Sequence, residues 1–503
     1  MNVTIRRPAA RSLASATAMA LCLGVMQPAP ALAMTAFEAW AALQSLAAGA
    51  GLSITSTGVT SGDDAVMVSG VRIFPTADPN EMIVSMDSLQ VVPRGEMIAL
   101  TPSAAIDVGV LFAGGITRHF NVTHNGTIAG MLTETNAALD LDFPSLSVVQ
   151  VPGAPAAKGG PADPMNVSMS FAGFTGRLRA AREGAAEATL DAGSVTYDLT
   201  YPDFTDSTAT ISQQGTIQSP HLALSATELD TLSGEDGALR RAFDSGFSAS
   251  LEFSTVASQQ TSSQPVEGVQ VNIQTQGGAS TLRVDLADGR VDITGDAAGL
   301  SLTGAYGPVA GSMTLGGMGL AFGLPLVVTP DDQPIRYMIS LQDLAPSPEL
   351  LSLFGAGQFA GDRATITVDV GAQGRLLQEI GPNFGESDAP PFDISSASLD
   401  DLRLQVGDSA FTGSGAVTLI GGIMGQIGRE RPNADGRFLF DLVGGERLLT
   451  RLQAMGIVPQ DQLFFVRMMM NGLSRPIGDD HLQSEVVLQP GGGITVNGAP
   501  LPF

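Results

Sequence analysis

Residues 281–294 read Thr-Leu-Arg-Val-Asp-Leu-Ala-Asp-Gly-Arg-Val-Asp-Ile-Thr. Leu282, Val284 and Leu286 alternate with polar residues, Asp288-Gly289 follows, and Val291 and Ile293 resume the alternation. Apolar residues at a period of two on both sides of an Asp-Gly pair specify a tight hairpin with one apolar and one wet face. The pattern recurs at Met165, Val167, Met169 and Phe171, at Val195, Tyr197, Leu199 and Tyr201, and at Val269, Val271 and Ile273. Asn125-Gly126 and Asp435-Gly436 repeat the turn signal. Strands joined by short turns are antiparallel, so the expected fold is mainly β, a single elongated body.

Helices are few. Thr35 and Glu38 stand at capping-box spacing, with Phe37, Trp40 and Leu43 along one side of the helix they open. Ser347-Pro348-Glu349 begins a second helix, which Gly355 closes. Gly445 to Met455 places Leu448, Leu449, Leu452 and Met455 on one side, and Gly456 ends it. Pro459 then opens a helix carrying Leu463, Val466, Arg467 and Met470. This pair, at 445–470, is expected to cap the open end of the sheet. A closing hairpin spans 482–496 around Pro490-Gly491-Gly492-Gly493. Residues 152–164, 258–268 and 382–391 read as linkers or long loops. The expected division is an export segment at 1–33, a β-rich region with its leading helix at 34–257, and a second β-rich region at 258–503.

Residues 1–33 have the form of a cleaved export signal. Arg6, Arg7 and Arg11 precede an apolar stretch from Leu13 to Met26, and Pro28 and Pro30 lead into Ala31-Leu32-Ala33. The stretch is short for a bilayer span. Leu21 before Cys22 departs from a lipoprotein signal, and Pro8 after Arg6-Arg7 departs from a twin-arginine one. Cys22 is the only cysteine, so the chain after Ala33 has no thiol. Disulfides, thiol catalysis and cysteine-held metals are thereby excluded, and burial alone must stabilise the fold.

The formal net charge is −25, and removal of three arginines with the signal gives −25 − 3 = −28. Such a chain repels nucleic acid and anionic membrane surfaces at long range. Lys158 is the sole lysine against 24 arginines among the 25 basic residues, a bias expected of a GC-rich bacterial genome. Export from a bacterium then means the periplasm first, with outer-membrane association or secretion as alternatives.

No catalytic, cofactor-binding or metal-ligating residue stands out. His119 and His124, five apart, would face opposite sides of one strand, and His221 and His481 are isolated. Ser414 lies between Gly413 and Gly415, but after Phe411-Thr412 the setting is a strand, not a nucleophile elbow. The acidic pairs Asp63-Asp64, Asp331-Asp332, Asp400-Asp401 and Asp479-Asp480 lack calcium-loop spacing and read as solvated turns. Phe464-Phe465 and Met468-Met469-Met470 form a dense apolar cluster that could grip lipid or a partner helix; core packing of a capping helix is the simpler reading. Phe503 ends the chain as outer-membrane barrels do, but Pro500 and Pro502 interrupt a strand there, and one Trp with four Tyr cannot build aromatic girdles.

Four segments carry a family resemblance: Phe37-Glu38-Ala39-Trp40; Tyr197-Asp198-Leu199-Thr200-Tyr201; the helix from Ser347 to Phe354 with Asp362–Ile366 and Val368-Asp369-Val370; and Ile494–Gly498 with Pro500-Leu501. Together they resemble the exported proteobacterial proteins grouped as domain of unknown function 2125. The stretch from Leu353 to Ala360 departs from that pattern. The resemblance carries over no catalytic residue. Through its likeness to AsmA-like and YdgA-like envelope proteins it implies a curled antiparallel sheet, groove- or taco-like, with an apolar trough, and a turn at Asn497-Gly498. The expected function is a non-enzymatic envelope protein presenting that groove to lipid or to envelope assembly, without cofactor, nucleic acid or a transmembrane span in the mature chain. The alternatives are an adhesin-like structural β-protein without ligand and a hydrolase built from dispersed carboxylates.

Overall fold

The computed structural model describes residues 35–501 apart from 50, 63, 96, 113–115, 134–135, 153–164, 182–183, 204–208, 229–237, 267, 308, 379, 381–383 and 385–389. The export segment 1–33, Asp63, Lys158, Phe503 and most of the stretches 152–164 and 382–391 thus lie outside the described residues. The chain is mainly β, 65% strand against 13% helix, and each strand pair of known register is antiparallel. Two compact units divide it: Met1–Ser233 with Asp244–Asn272, and Gly234–Phe243 with Ile273–Phe503. No helix among the described residues is long and apolar enough to cross a membrane.

The first unit opens with the helix Ala36–Gly49. Its capping box forms: Glu38 Oε2 accepts from the Thr35 amide and hydroxyl, each at 2.8 Å, and Thr35 Oγ1 accepts from the Glu38 amide. Those bonds, the one from the Thr35 amide foremost, hold the Glu38 carboxyl below its usual range. The inward face is Ala36, Ala39, Trp40, Ala42, Leu46 and Ala47, with Leu43 packed beside them. It covers Val66, Val68, Val71, Val91, Ile98 and Leu100 from three neighbouring strands, and this is the main buried core. Phe37, expected beside Trp40, is exposed instead. At 100° per residue it falls outside the stripe that Ala36 and Ala39 continue.

Three long strands act as spines in this unit, each pairing along one edge with two shorter strands placed end to end. Met82–Arg94 takes Met97–Pro102 and Ala105–Phe112. Asn136–Gln150 takes Ile116–His124 and Thr127–Leu132. Asn166–Ala181 takes Ala186–Asp191 and Ser194–Pro202. Asn125-Gly126 therefore lies between two strands that run on in line, and it is not the hairpin expected there. A Cβ on Gly126 would sit 2.0 Å from the Asp142 carbonyl oxygen, so the glycine serves close approach to the spine. The stretch 258–268, expected as a linker, is largely strand Ala257–Val266, paired with Thr210–Gln218. Its Ser and Gln side chains give no apolar alternation, yet the backbone ladder forms without one.

The second unit is built around a meander from Ser280–Ala287 to Gly493–Val496. Asp288 and Gly289 both have positive φ, 51° and 73°, and form the tight turn read from the sequence. Asp435-Gly436 does not: both residues lie inside strand Ala434–Val443, opposite Thr418 and Val417. Helix Pro348–Leu353 begins at Ser347, whose hydroxyl accepts from the Leu350 amide. Helices Gly445–Ala454 and Gln460–Leu473 bury Leu449 and Leu463, the second running three residues past the expected end. The closing hairpin pairs His481–Gln489 with Gly493–Val496, and Asn497-Gly498 turns with positive φ at both residues. A further short helix, Ala238–Asp244, carried no periodic signal.

Candidate functional site

The strand registers of the second unit line its apolar side chains into three rows running across the strands. The first row passes from Val284 to Ile293, Phe322, Tyr337 and Val370. It continues through Leu399, Gly415, Phe438 and Val486 to Val496, ten strands in all. Two residues along each strand runs a second row, from Leu282 through Gly295, Leu320, Ile339 and Val368 to Leu402, Gly413, Phe440 and Ser484. A third joins Ala297, Met318, Leu341 and Ile366 to Leu404, Phe411, Leu442 and Leu482. At about 4.8 Å between strands, the first row is about 43 Å long.

Two local devices keep the rows intact. The register shifts between Leu399 and Leu402, where Asp400-Asp401 forms a bulge opposite the strand Ser409–Leu419. The extra residue lets Leu399 and Leu402, three apart, stand on the same face. This acidic pair is thus a mid-strand bulge, not the turn expected of it. Glycines supply the second device. A Cβ on Gly413 would lie 2.4 Å from the Phe440 ring, and one on Gly415 2.5 Å from the Phe438 ring. The bare backbone leaves room for a stack in which Phe411 and Phe440 are 5.7 Å apart and 7° from parallel, with Phe438 6.4 Å beyond. Ser414, between those glycines, points to the opposite face by strand alternation, opposite Leu439. Gly-Ser-Gly here is an aromatic platform and not a nucleophile elbow.

Apart from Gly295, no member of the three rows is buried. Phe322, Tyr337, Met318, Leu404 and Leu282 count among the exposed large apolar residues. The opposite face of the same strands is polar and held by ion pairs: Arg336 with Asp369 at 2.9 Å, Arg290 with Asp292 at 2.6 Å, and Arg437 with Glu485. Bonding to Asp369 raises the Arg336 guanidinium above its usual range, and bonding to Asp292 does the same for Arg290. The two compact apolar clusters among the described residues both lie in the first unit. The second unit therefore has a wet charged face and an apolar face of half-exposed side chains.

The residues singled out from the sequence do not converge. His119 pairs with Asp107 at 3.1 Å, His221 with Asp191 at 2.7 Å and His481 with Asp441 at 3.0 Å, each across adjacent strands. His124 instead bonds the Ser103 carbonyl and sets its ring edge-on to Phe143. Asp331-Asp332 lies in a bend between strands. Asp480, at positive φ, accepts from the amides of Glu446 and Arg447 and so caps the helix Gly445–Ala454, whose own N-cap is Gly444. Among the described residues no three His, Cys, Asp or Glu side chains gather as metal ligands. The rows themselves had a sequence signal in Met318, Leu320, Phe322 and Leu324, which alternate with Gly and Ala.

Comparison of the chain with family models, with curated proteins and with solved structures finds no match.

Proposed function

We propose that this chain is a non-enzymatic, exported envelope protein of the domain of unknown function 2125 kind, working in the periplasm, whose second unit holds lipid acyl chains along the three apolar rows. The observation that carries the reading is the half-exposure of the rows: large apolar side chains align over ten strands and gain full burial only against something added. The first row, about 43 Å long, exceeds the ~30 Å hydrocarbon thickness of a bilayer, so two acyl chains fit end to end. The polar reverse face keeps the sheet solvated, and the export signal read in residues 1–33 delivers it to the compartment where envelope lipids move. Holding an acyl chain requires no reacting group.

The test is to purify the protein from its own host under detergent-free conditions, extract it with organic solvent and identify the extract by mass spectrometry. Acyl lipid at a fixed molar ratio, lost on Phe322→Asp with Leu404→Asp, is the expected result. Protein that is free of lipid and binds no fatty acid would refute the reading.

A further inference from the structure

Helix Gln460–Leu473 has a sequence that does not suit its place. Leu463 is buried on its inner side, and the Met470 methyl lies beside Leu442, since a Cβ on Gly445 would touch both. Its outer side is also apolar: Phe464 is 77% exposed, Phe465 56%, Met468 51%, Met469 46% and Leu473 39%. The spacing i, i+1, i+4, i+5, i+9 makes one continuous stripe along the helix. A helix with apolar residues on both its inner and its outer side needs cover on both, and here the outer side has none among the described residues.

Three observations indicate what covers it. The first is continuity. Ser484 ends the second row and Leu442 is the last but one residue of the third; the Ser484 hydroxyl donates to the Leu473 carbonyl, and the Asn497 side chain donates to the same carbonyl at 3.1 Å. The helix is therefore fixed at the point where the apolar rows run out. The second is area. The stripe offers about 500 Å² at ~200 Å² per large side chain, below the ~800 Å² per partner of a stable protein interface. Insertion into a bilayer interface has no such threshold, because each buried side chain contributes separately. The third is charge. Residues 445–478 hold Arg447, Arg451, Arg467 and Arg475 against Glu446 and Asp461, 4 − 2 = +2, within a chain of −25. Three of these arginines are paired, with Asp480, Asp362 and Glu446, which leaves the patch near neutral where the chain at large is acidic.

We infer that helix Gln460–Leu473 is a membrane-docking element, which inserts Phe464, Phe465, Met468 and Met469 into a bilayer surface and brings the ends of the apolar rows to it. The inference rests on the proposed acyl-chain site only for the destination of the lipid; docking itself stands on the helix alone. Insertion is driven by apolar contact, so zwitterionic lipid suffices and salt has little effect.

The native chain has one tryptophan, Trp40, and it is buried. Phe464→Trp in the full chain therefore adds a local reporter that residues 1–33 cannot mimic. With vesicles of brominated phosphatidylcholine, its emission is expected to fall about twofold, in low and high salt alike, while the parent chain is unquenched. Adding Met468→Gln and Met469→Gln is expected to weaken vesicle partition about tenfold without lowering the melting temperature; Phe465→Gln, made separately, serves if that double variant is unstable. The absence of quenching overturns the inference, as does quenching that needs anionic lipid and vanishes in high salt. An emission shift caused by a host protein and not by vesicles also overturns it, and assigns the stripe to a protein partner. Lipid extracted from the rows without vesicle quenching removes the docking helix and leaves the acyl-chain site standing; quenching with empty rows does the reverse.

Discussion

Phe322→Ala is the most direct probe of the apolar rows. Phe322 stands in the first row between Ile293 and Tyr337 and is 39% exposed. On ~200 Å² for a phenylalanine side chain, about 80 Å² of it faces the open side. Covering that area at ~25 cal/mol per Å² contributes about 2 kcal/mol to ligand binding, or roughly 30-fold in Kd. The truncation also removes contacts already made, at up to about 3 kcal/mol of stability, an upper bound on the extended-chain reference. The two losses are separable, because folding is read by denaturant titration and binding by titrating a fluorescent fatty acid below the transition. Arg336→Ala is the control on the other face of the neighbouring strand. Its pair with Asp369 is half-exposed, so its loss costs well under 1 kcal/mol and leaves Kd unchanged. An unchanged Kd in Phe322→Ala, together with a weakened one in Arg336→Ala, would place the ligand on the polar face and refute the argument.

Trp40→Ala in the first unit is expected to cost about 3–5 kcal/mol, because Trp40 is only 4% exposed and packs on Val66, Val68 and Val91; a shifted denaturation midpoint reads it. Gly413→Val puts a side chain where the Phe440 ring lies, so it should cost about 1–3 kcal/mol and alter the near-ultraviolet circular dichroism of the phenylalanine stack. Asp480→Ala removes the cap of helix Gly445–Ala454 and is expected to lower stability by about 1 kcal/mol, with Asp480→Asn intermediate because Asn also tolerates positive φ. Burial pushes the Tyr197 phenol above its usual value of 10.0. The folded state then holds that proton more tightly than the unfolded one, so the contribution is intact below pH 10 and is lost as pH rises through the folded value. Melting curves above pH 10 should show Tyr197→Phe losing less stability than the parent chain.

Local signals survived into the structure wherever the backbone alone decides the outcome. The hairpin at Asp288-Gly289, the capping box at Thr35 and Glu38, the start at Ser347-Pro348 and the closing hairpin all needed only φ preferences and nearby hydrogen bonds. Signals failed where a residue serves a neighbour distant in sequence. Gly126 was misread because a glycine that admits the Asp142 carbonyl has the same letter as one that makes a turn. The strand Ala257–Val266 was misread because its order comes from its ladder to Thr210–Gln218 and not from an apolar face. The three rows were legible only in part: the bulge at Asp400-Asp401 breaks the alternation that would have announced them. For Phe464 and Met468, apolar character was plain in the sequence, but which side of the helix faces inward is set by Leu463, Met470 and Leu442 together.

The two units answer the same requirement with different means. A β-sheet with one apolar face must cover it. In the first unit the cover is part of the chain: helix Ala36–Gly49 lays six residues against the strands and brings Val68 and Val91 to 0% exposure. In the second, helix Pro348–Leu353 buries none of its own residues, and the pair at the C-terminal end buries little beyond Leu449 and Leu463. The reverse face of this sheet is polar, with Arg336 paired to Asp369 and Arg437 to Glu485 across strands, and Arg290 to Asp292 along one strand. A ligand on the rows would supply what the first unit obtains from its helix, adding about 2.7 kcal/mol when present at 100 times its Kd. Stabilisation of that size is comparable to the covering of one or two large side chains, so under the proposed reading affinity and stability in this unit would draw on the same surface. Filling the rows with larger internal side chains would stabilise the sheet and close the site. Under the proposed acyl-chain reading, their half-exposed state is the compromise that a binding surface requires.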